Sequence, residues 1–316
     1  MGADERPSGR MLMSERQTFT VLRGTLSRNV SLARYTSWRC GGAGDRLYIP
    51  ADRDDLAAFV RQLPAGEPLT VIGLGSNVLV RDGGVRGTIV VMHAALDVLE
   101  LVDGLVHAEA GVTSPKVARF AATHGLAGAE FLAGIPGTVG GALAMNAGCY
   151  GGETWSFVAR VETLTSSGAI VVEPAAAFAT GYRSVRRADG GGMAALFTAV
   201  WFSFPQGDGR VARERIAELL RRRIATQPLN LPNAGSVFRN PPGDHAARLI
   251  EGCGLKGYAI GGARVSEKHA NFIVNPDGQA KAADIEAIIA HVRSTVHART
   301  GVDLVPEVQI VGEREK

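Results

Sequence analysis

Two glycine-dense stretches carry most of the chemistry on offer. The first is Val71-Ile72-Gly73-Leu74-Gly75-Ser76-Asn77, an apolar run feeding a glycine turn with two polar side chains beyond it. Such a turn presents several backbone N–H groups, with Ser76 and Asn77, to an anion. Taken alone it is equally an ordinary tight turn. It is not a Rossmann fingerprint, because the third glycine would fall at Val78, and no Gly-Lys-Ser/Thr follows to make a Walker loop. The second stretch runs from Gly134 through Pro136, Gly137, Thr138, Gly140, Gly141 and Asn146 to Gly148, and is built almost wholly of small residues. Small residues bury little apolar area and make a poor core. They do let a flat or extended ligand lie against the main chain. Two such loops point to one long cofactor with its diphosphate on main-chain donors.

Other reactive types are sparser. Arg183 in Gly181-Tyr182-Arg183-Ser184 reads by itself as a surface ion pair, and Glu307 as a strand-end charge. Ser236 in Ala234-Gly235-Ser236 reads by itself as a turn serine capping its own backbone. No Gly-x-Ser-x-Gly surrounds it, which argues against a nucleophilic serine. The seven histidines have no ligand-like spacing, so no metal is expected. Cys40, Cys149 and Cys253 lack metal spacing and cannot all pair, which fits a reducing compartment.

The elements that must position these residues fall into three units within 316 residues. With 46% hydrophobic and 21% charged residues, a folded chain is expected. Residues 1–24 are mixed and polar, without the apolar stretch of a secretory signal, and are expected to be a loose extension of a cytoplasmic protein. Residues 25–93 alternate strand (Leu47–Ile49), helix (Asp54–Leu63), strand (Leu69–Ile72) and strand (Thr88–Met92). In residues 94–208 a strand over Leu105–Ala110 precedes a helix over Ser114–His124, with Pro115 in its first turn and Gly125 at its end. Strands follow around Val158–Leu164, Ile170–Val172 and Leu196–Phe204. Residues 209–316 carry helices over Val211–Arg223, His245–Cys253 and Ala282–Arg299, the last with Ile285, Ile288, Ile289 and Val292 at helical spacing and Gly301 behind it. Strands are expected at Phe272–Val274 and Val308–Val311. The run Arg221-Arg222-Arg223 is read as a solvated helix end, favourable to the helix dipole, rather than a nucleic-acid site. The net charge of +3 is near balance, and no apolar run reaches membrane-spanning length.

At a longer scale the motifs become specific. Gly73 to Gly84 (GLGSNVLVRDGG) and Gly134 to Gly141 (GIPGTVGG) resemble the two FAD-binding segments of the UDP-N-acetylenolpyruvoylglucosamine reductase (MurB) family, of the vanillyl-alcohol-oxidase type. The resemblance continues through Gly181–Ser184, Ala234–Asp244, Val265–Asn275 and Pro306–Val308, and covers about Tyr35 to Gly312. It implies an α+β fold: a two-part FAD-binding domain of that type plus a C-terminal α/β substrate-binding domain.

The resemblance also implies non-covalent FAD, NADPH as hydride donor, and reduction of the enolpyruvyl ether of UDP-N-acetylglucosamine in peptidoglycan precursor synthesis. Hydride addition leaves an enolate that must be stabilised and protonated. Arg183 matches the family's active-site arginine, Ser236 its proton donor and Glu307 its third catalytic residue. The two glycine loops match its cofactor contacts. Tyr182 and Asn240 match substrate contacts, with Lys268 and Asn271 beside them; His269 is equally a structural residue. Cys40 and Ala43 depart from the usual pattern around Gly41-Gly42, and both are small. The short connection after Arg183 marks the shorter, second type with a more open pocket. A monomer without nucleic-acid or membrane partners is expected. Two other readings stand beside this one: a flavin oxidase or dehydrogenase acting on another small molecule, disfavoured by the lack of a tethering His in either loop, and a non-catalytic FAD- or nucleotide-binding module that regulates a partner.

Overall fold

The computed structural model describes residues 21–191 and 195–315, so the expected N-terminal extension lies outside it up to residue 20. Val21–Gly24 are described, and two of them are tied to the fold: Arg23 N donates to Asp55 Oδ1 at 2.7 Å and Gly24 N to the Tyr48 hydroxyl at 3.2 Å. The chain is α+β.

The first unit is a sheet ordered β1-β2-β5-β3. Its strands are β1 (Thr25–Ser31), β2 (Ala43–Ile49), β3 (Leu69–Ile72) and β5 (Val85–Val91), while the short β4 (Val78–Val80) stands outside it. Both β2 and β3 run parallel to β5. The helix α1 (Arg53–Arg61) connects β2 to β3. It starts where Asp52 accepts from the Asp55 amide, and it buries Leu56, Phe59 and Val60. The strand β1 escapes sequence reading because TLSRNVS is an exposed edge with no apolar alternation. The loop Gly73–Asn77 leaves the carboxyl end of parallel strand β3, where open α/β sheets bind ligands.

The second unit is an antiparallel sheet ordered β11-β10-β14-β7-β6. Its strands are β6 (Leu99–Val102), β7 (Leu105–Glu109), β10 (Val158–Thr165), β11 (Ile170–Pro174) and β14 (Ala195–Phe202). Two hairpins project from it, β8 (Gly148–Cys149) with β9 (Gly152–Glu153), and β12 (Phe178–Gly181) with β13 (Ser184–Arg187). The helix α2 (Ser114–Thr123) ends before Gly125, whose φ of 68° is left-handed. The small-residue stretch Gly134–Gly148 is not all loop. Val139, Ala142 and Leu143 fall on one face and bury it, giving the short helix α3 (Val139–Ala144).

The helix α4 (Gly209–Thr226) opens the third segment, capped by Asp208, yet Ala212 and Ile216 pack into the second unit's core. Beyond it lie α5 (Ala246–Gly252), a sheet of β15 (Ala259–Ile260), β16 (Ala263–Val265) and β17 (Ile273–Val274), and α6 (Ala282–Thr300). Ile285, Ile288, Ile289 and Val292 bury one side of α6, and Gly301 ends it at φ 72°. The final strand β18 (Gln309–Val311) returns to pair in parallel with β4 of the first unit.

Candidate active site

The two glycine loops face one another across a cleft of about 340 Å³. Of the expected cofactor residues, Gly73, Gly75, Ser76, Asn77, Gly134, Pro136, Gly137, Thr138, Gly141 and Gly148 line it. Most of these glycines serve the packing of chain on chain. A Cβ at Gly73 would strike Thr138 Oγ1, and one at Gly134 would lie 2.6 Å from Cys149 Sγ. Gly75 is the most constrained, with φ 61° and the Tyr35 carbonyl where a Cβ would sit. Gly141 differs: the nearest atom to a Cβ there is Thr138 Oγ1 at 3.8 Å, so this position is open toward the cleft. Gly140 and Asn146 do not line the cleft. Gly140 packs on Ala110, and its amide donates to the Ala110 carbonyl at 2.9 Å. Asn146 is 1% exposed, at φ 40°. Its amide nitrogen donates to Glu153 Oε2 at 3.0 Å and to the Gly181 carbonyl at 3.2 Å.

That last bond ties the second glycine loop to the β12–β13 hairpin, whose two-residue turn is Tyr182-Arg183. Arg183 sits at φ 53°, unusual for a residue with a side chain. Its Nε donates to Glu307 Oε1 at 2.6 Å and its Nη2 to the Gly148 carbonyl at 3.1 Å. Both side chains of the ion pair are largely buried, at 17% and 14% exposure. Burial pushes the Glu307 carboxyl above its ordinary range, against the pull of Arg183 and then Arg239. Glu307 is held from the other side by main chain. Its amide donates to the Val237 carbonyl at 2.8 Å, and Arg239 N donates to the Val305 carbonyl at 2.9 Å. The segments 236–239 and 305–307 thus run antiparallel, and Ser236 opens onto the same cleft. The Ser236 hydroxyl makes no hydrogen bond with another described residue.

The expected substrate residues divide. The Tyr182 hydroxyl accepts from Asn240 N at 3.4 Å, and both are exposed beside the Arg183 turn. Asn271 is buried and fully engaged: Oδ1 accepts from Phe238 N at 2.9 Å and Nδ2 donates to the Phe238 carbonyl at 2.8 Å. It braces the segment that carries Ser236. Lys268 Nζ donates to the Ile224 carbonyl at 2.6 Å, at the end of α4, and does not line the cleft. Arg223 and Gln227 do line it. The helix-end reading of Arg221–Arg223 is therefore corrected for Arg223, which is half-buried because α4 docks against the cleft. Cys149 and Phe272, which the sequence reading places in no site, also line the cleft.

The residues present fit a flavin dinucleotide. The amides of Gly73 to Asn77 make no hydrogen bond to another described residue, and all five residues line the cleft. They offer donors for a diphosphate, while open Gly141 leaves room for a flat group. Among the described residues no group of three or more His, Cys, Asp or Glu is placed to hold a metal, and no helix is long and apolar enough to cross a membrane.

Comparison with known proteins places these features. Residues 45–172 match the profile of an FAD binding domain, and residues 227–311 that of the C-terminal domain of UDP-N-acetylenolpyruvoylglucosamine reductase. A UDP-N-acetylenolpyruvoylglucosamine reductase of Thiobacillus denitrificans is 54% identical over 314 residues, spanning 94% of this chain and 95% of its own. One of Methylococcus capsulatus is 55% identical over 303 residues, spanning 96% and 98%. The crystal structure of UDP-N-acetylenolpyruvylglucosamine reductase (MurB) from Thermus caldophilus superposes with a TM-score of 0.77 at 32% identity, over 92% of this chain and all of that one. The chain belongs to the UDP-N-acetylenolpyruvoylglucosamine reductase family, a family of FAD-dependent oxidoreductases.

Proposed function

We propose that the chain holds FAD non-covalently across its two glycine loops, uses NADPH as hydride donor, and reduces the enolpyruvyl ether of UDP-N-acetylglucosamine to UDP-N-acetylmuramate, working as a cytoplasmic monomer. The observation that carries this reading is the convergence of the Arg183–Glu307 pair and Ser236 on the cleft lined by both loops. When bound, FAD supplies the acceptance and delivery of a hydride. The chain supplies the rest. Amides of Gly73–Asn77 bind the diphosphate. Arg183 spends Nε on Glu307 and one Nη2 hydrogen on Gly148, which leaves its other N–H groups for the enolpyruvyl carboxylate. Charge that develops there as an enolate meets a fixed guanidinium, whose orientation Glu307 sets. Ser236 gives the proton to the carbon beside it; serine is a feeble acid in water, but an enolate is a strong base. Tyr182 and Asn240, at the exposed edge, contact the nucleotide sugar, while Lys268 and Asn271 hold Ile224 and Phe238 in place.

The test is optical. Anaerobic NADPH is expected to bleach the yellow protein, and the enolpyruvyl substrate to restore its colour. A colourless protein that takes up no FAD overturns the flavin reading, and bleaching without restoration overturns the substrate. In Ser236→Ala, bleaching by NADPH is expected to persist while reoxidation by substrate slows by about 10²–10⁴-fold. Unchanged turnover would remove Ser236 from its role.

A further inference from the structure

Arg223 lies where two clefts meet. It borders the cleft already described and a neighbouring one of about 380 Å³, which share Leu74, Ser76, Pro136 and Gly235. Its Nε donates to Gln227 Oε1 at 2.9 Å, and no carboxylate reaches it among the described residues. Arg46, Arg81, Arg183 and Arg187 all have carboxylate partners. A half-buried guanidinium with only a neutral amide beside it is costly unless an anion completes it. Burial lowers its pKa from the usual arginine value, yet an arginine remains charged.

Arg39 lines the neighbouring cleft and likewise has no ion pair among the described residues. Its backbone is left-handed at φ 59° and fixed on both sides. Trp38 is fully buried, with Nε1 donating to the Ile273 carbonyl at 2.7 Å, and Cys40 is buried too. Ser37 is anchored to the first glycine loop, its amide and hydroxyl donating to the Gly75 carbonyl at 3.1 and 3.2 Å. A strained turn held this firmly displays Arg39 at one place beside that loop. No Asp or Glu lines the neighbouring cleft.

We infer that Arg39 and Arg223 form a phosphate subsite in the neighbouring cleft, which both line, taking a phosphate of a bound nucleotide beside the free amides of the first glycine loop. The inference rests on the reductase reading for the identity of that nucleotide, because FAD, NADPH and a UDP-sugar all carry phosphates. Arginine suits the task through its planar fork of donors.

Arg39→Met, Arg223→Met and Arg223→Lys, made in the full chain, test the subsite through three binding readouts: release of FAD from the holoenzyme in rising salt, KM for NADPH, and KM for the enolpyruvyl substrate. Both methionine variants are expected to weaken the same ligand by about tenfold to a hundredfold, with Arg223→Lys recovering part of the loss. Which readout moves identifies the source: flavin diphosphate, hydride donor or nucleotide sugar. All three unchanged within about twofold overturns the subsite, since a hydrogen bond to a charged group is worth more than that. Should Arg223→Met fail to fold, Arg39→Met, at an exposed side chain, carries the same test. Failure of the reductase reading would show separately, in the unsubstituted protein.

Discussion

Arg183 works only in company. Its left-handed backbone is a strained position, and the charge it presents is aimed by Glu307 and Gly148. On the proposed mechanism the state of Glu307 is then decisive. Burial raises its pKa more than Arg183 and Arg239 lower it, so protonation on acidification begins above the ordinary glutamate range. A protonated Glu307 orients Arg183 less firmly, so kcat/KM for the enolpyruvyl substrate is expected to fall on the acid side with a midpoint above that range. Glu307→Gln is expected to be slow at every pH and to lack that limb, which a pH–rate profile of flavin reoxidation checks. Cys149 is a contrasting cleft residue, held as a thiol. Its Sγ donates to the Phe131 carbonyl at 3.0 Å, and burial pushes the thiol up to about 11. Thiolate is therefore scarce at neutral pH, and iodoacetamide at pH 7.5 is expected to leave Cys149 unmodified, as read by mass spectrometry of the native protein.

Elements matter here as holders. The segment 236–239 bears Ser236 on one strand-like stretch, and Asn271 is its brace: it bonds both polar groups of Phe238 from within the core. Asn271→Ala is expected to cost about 2–4 kcal/mol in denaturant unfolding, because it leaves a buried amide and carbonyl unpaired. Turnover per folded molecule should fall as well, since the serine loses its support. Neither effect was legible in the sequence, where Asn271 stands among motif residues and reads as a substrate contact. Motif membership says that a side chain is needed, but the direction it faces depends on which segments pack around it. Arg223 differs from its expected role for a related reason. Its place at a helix end is local, whereas its burial follows from how α4 docks, which is long-range. What the sequence did disclose were the elements with strong apolar patterning, such as β3, β10 and α6, and the glycine turns themselves. The exposed edge β1 and the β12–β13 hairpin left no such trace, because their burial patterns are mostly exposed or intermediate.

Across the whole molecule the three units are stitched together rather than strung in a row. Trp38, Cys40 and Leu79, from the first glycine-bearing unit, lie in one core with α5 and α6. Asn275 donates to the Trp38 carbonyl at 2.9 Å, and Trp38 donates back to Ile273. The last strand β18 completes a parallel pair with β4, and Asn77 of the first loop donates to the Glu307 carbonyl at 3.2 Å. The cleft thus draws its lining from all three units, between Val71 and Gln309, and these contacts hold that lining together. Separate melting of a flavin unit and a C-terminal unit would expose Trp38 and Leu79, two of the largest fully buried side chains. That exposure penalises any state with one unit open. A single cooperative transition is therefore expected, with circular dichroism and released-flavin fluorescence giving the same midpoint. Leu79→Ala, by leaving a cavity between units, is expected to lower both midpoints together by an amount equivalent to about 3–5 kcal/mol. Flavin release well below the loss of secondary structure would show instead that the units open independently, and that the site does not depend on the interface between them.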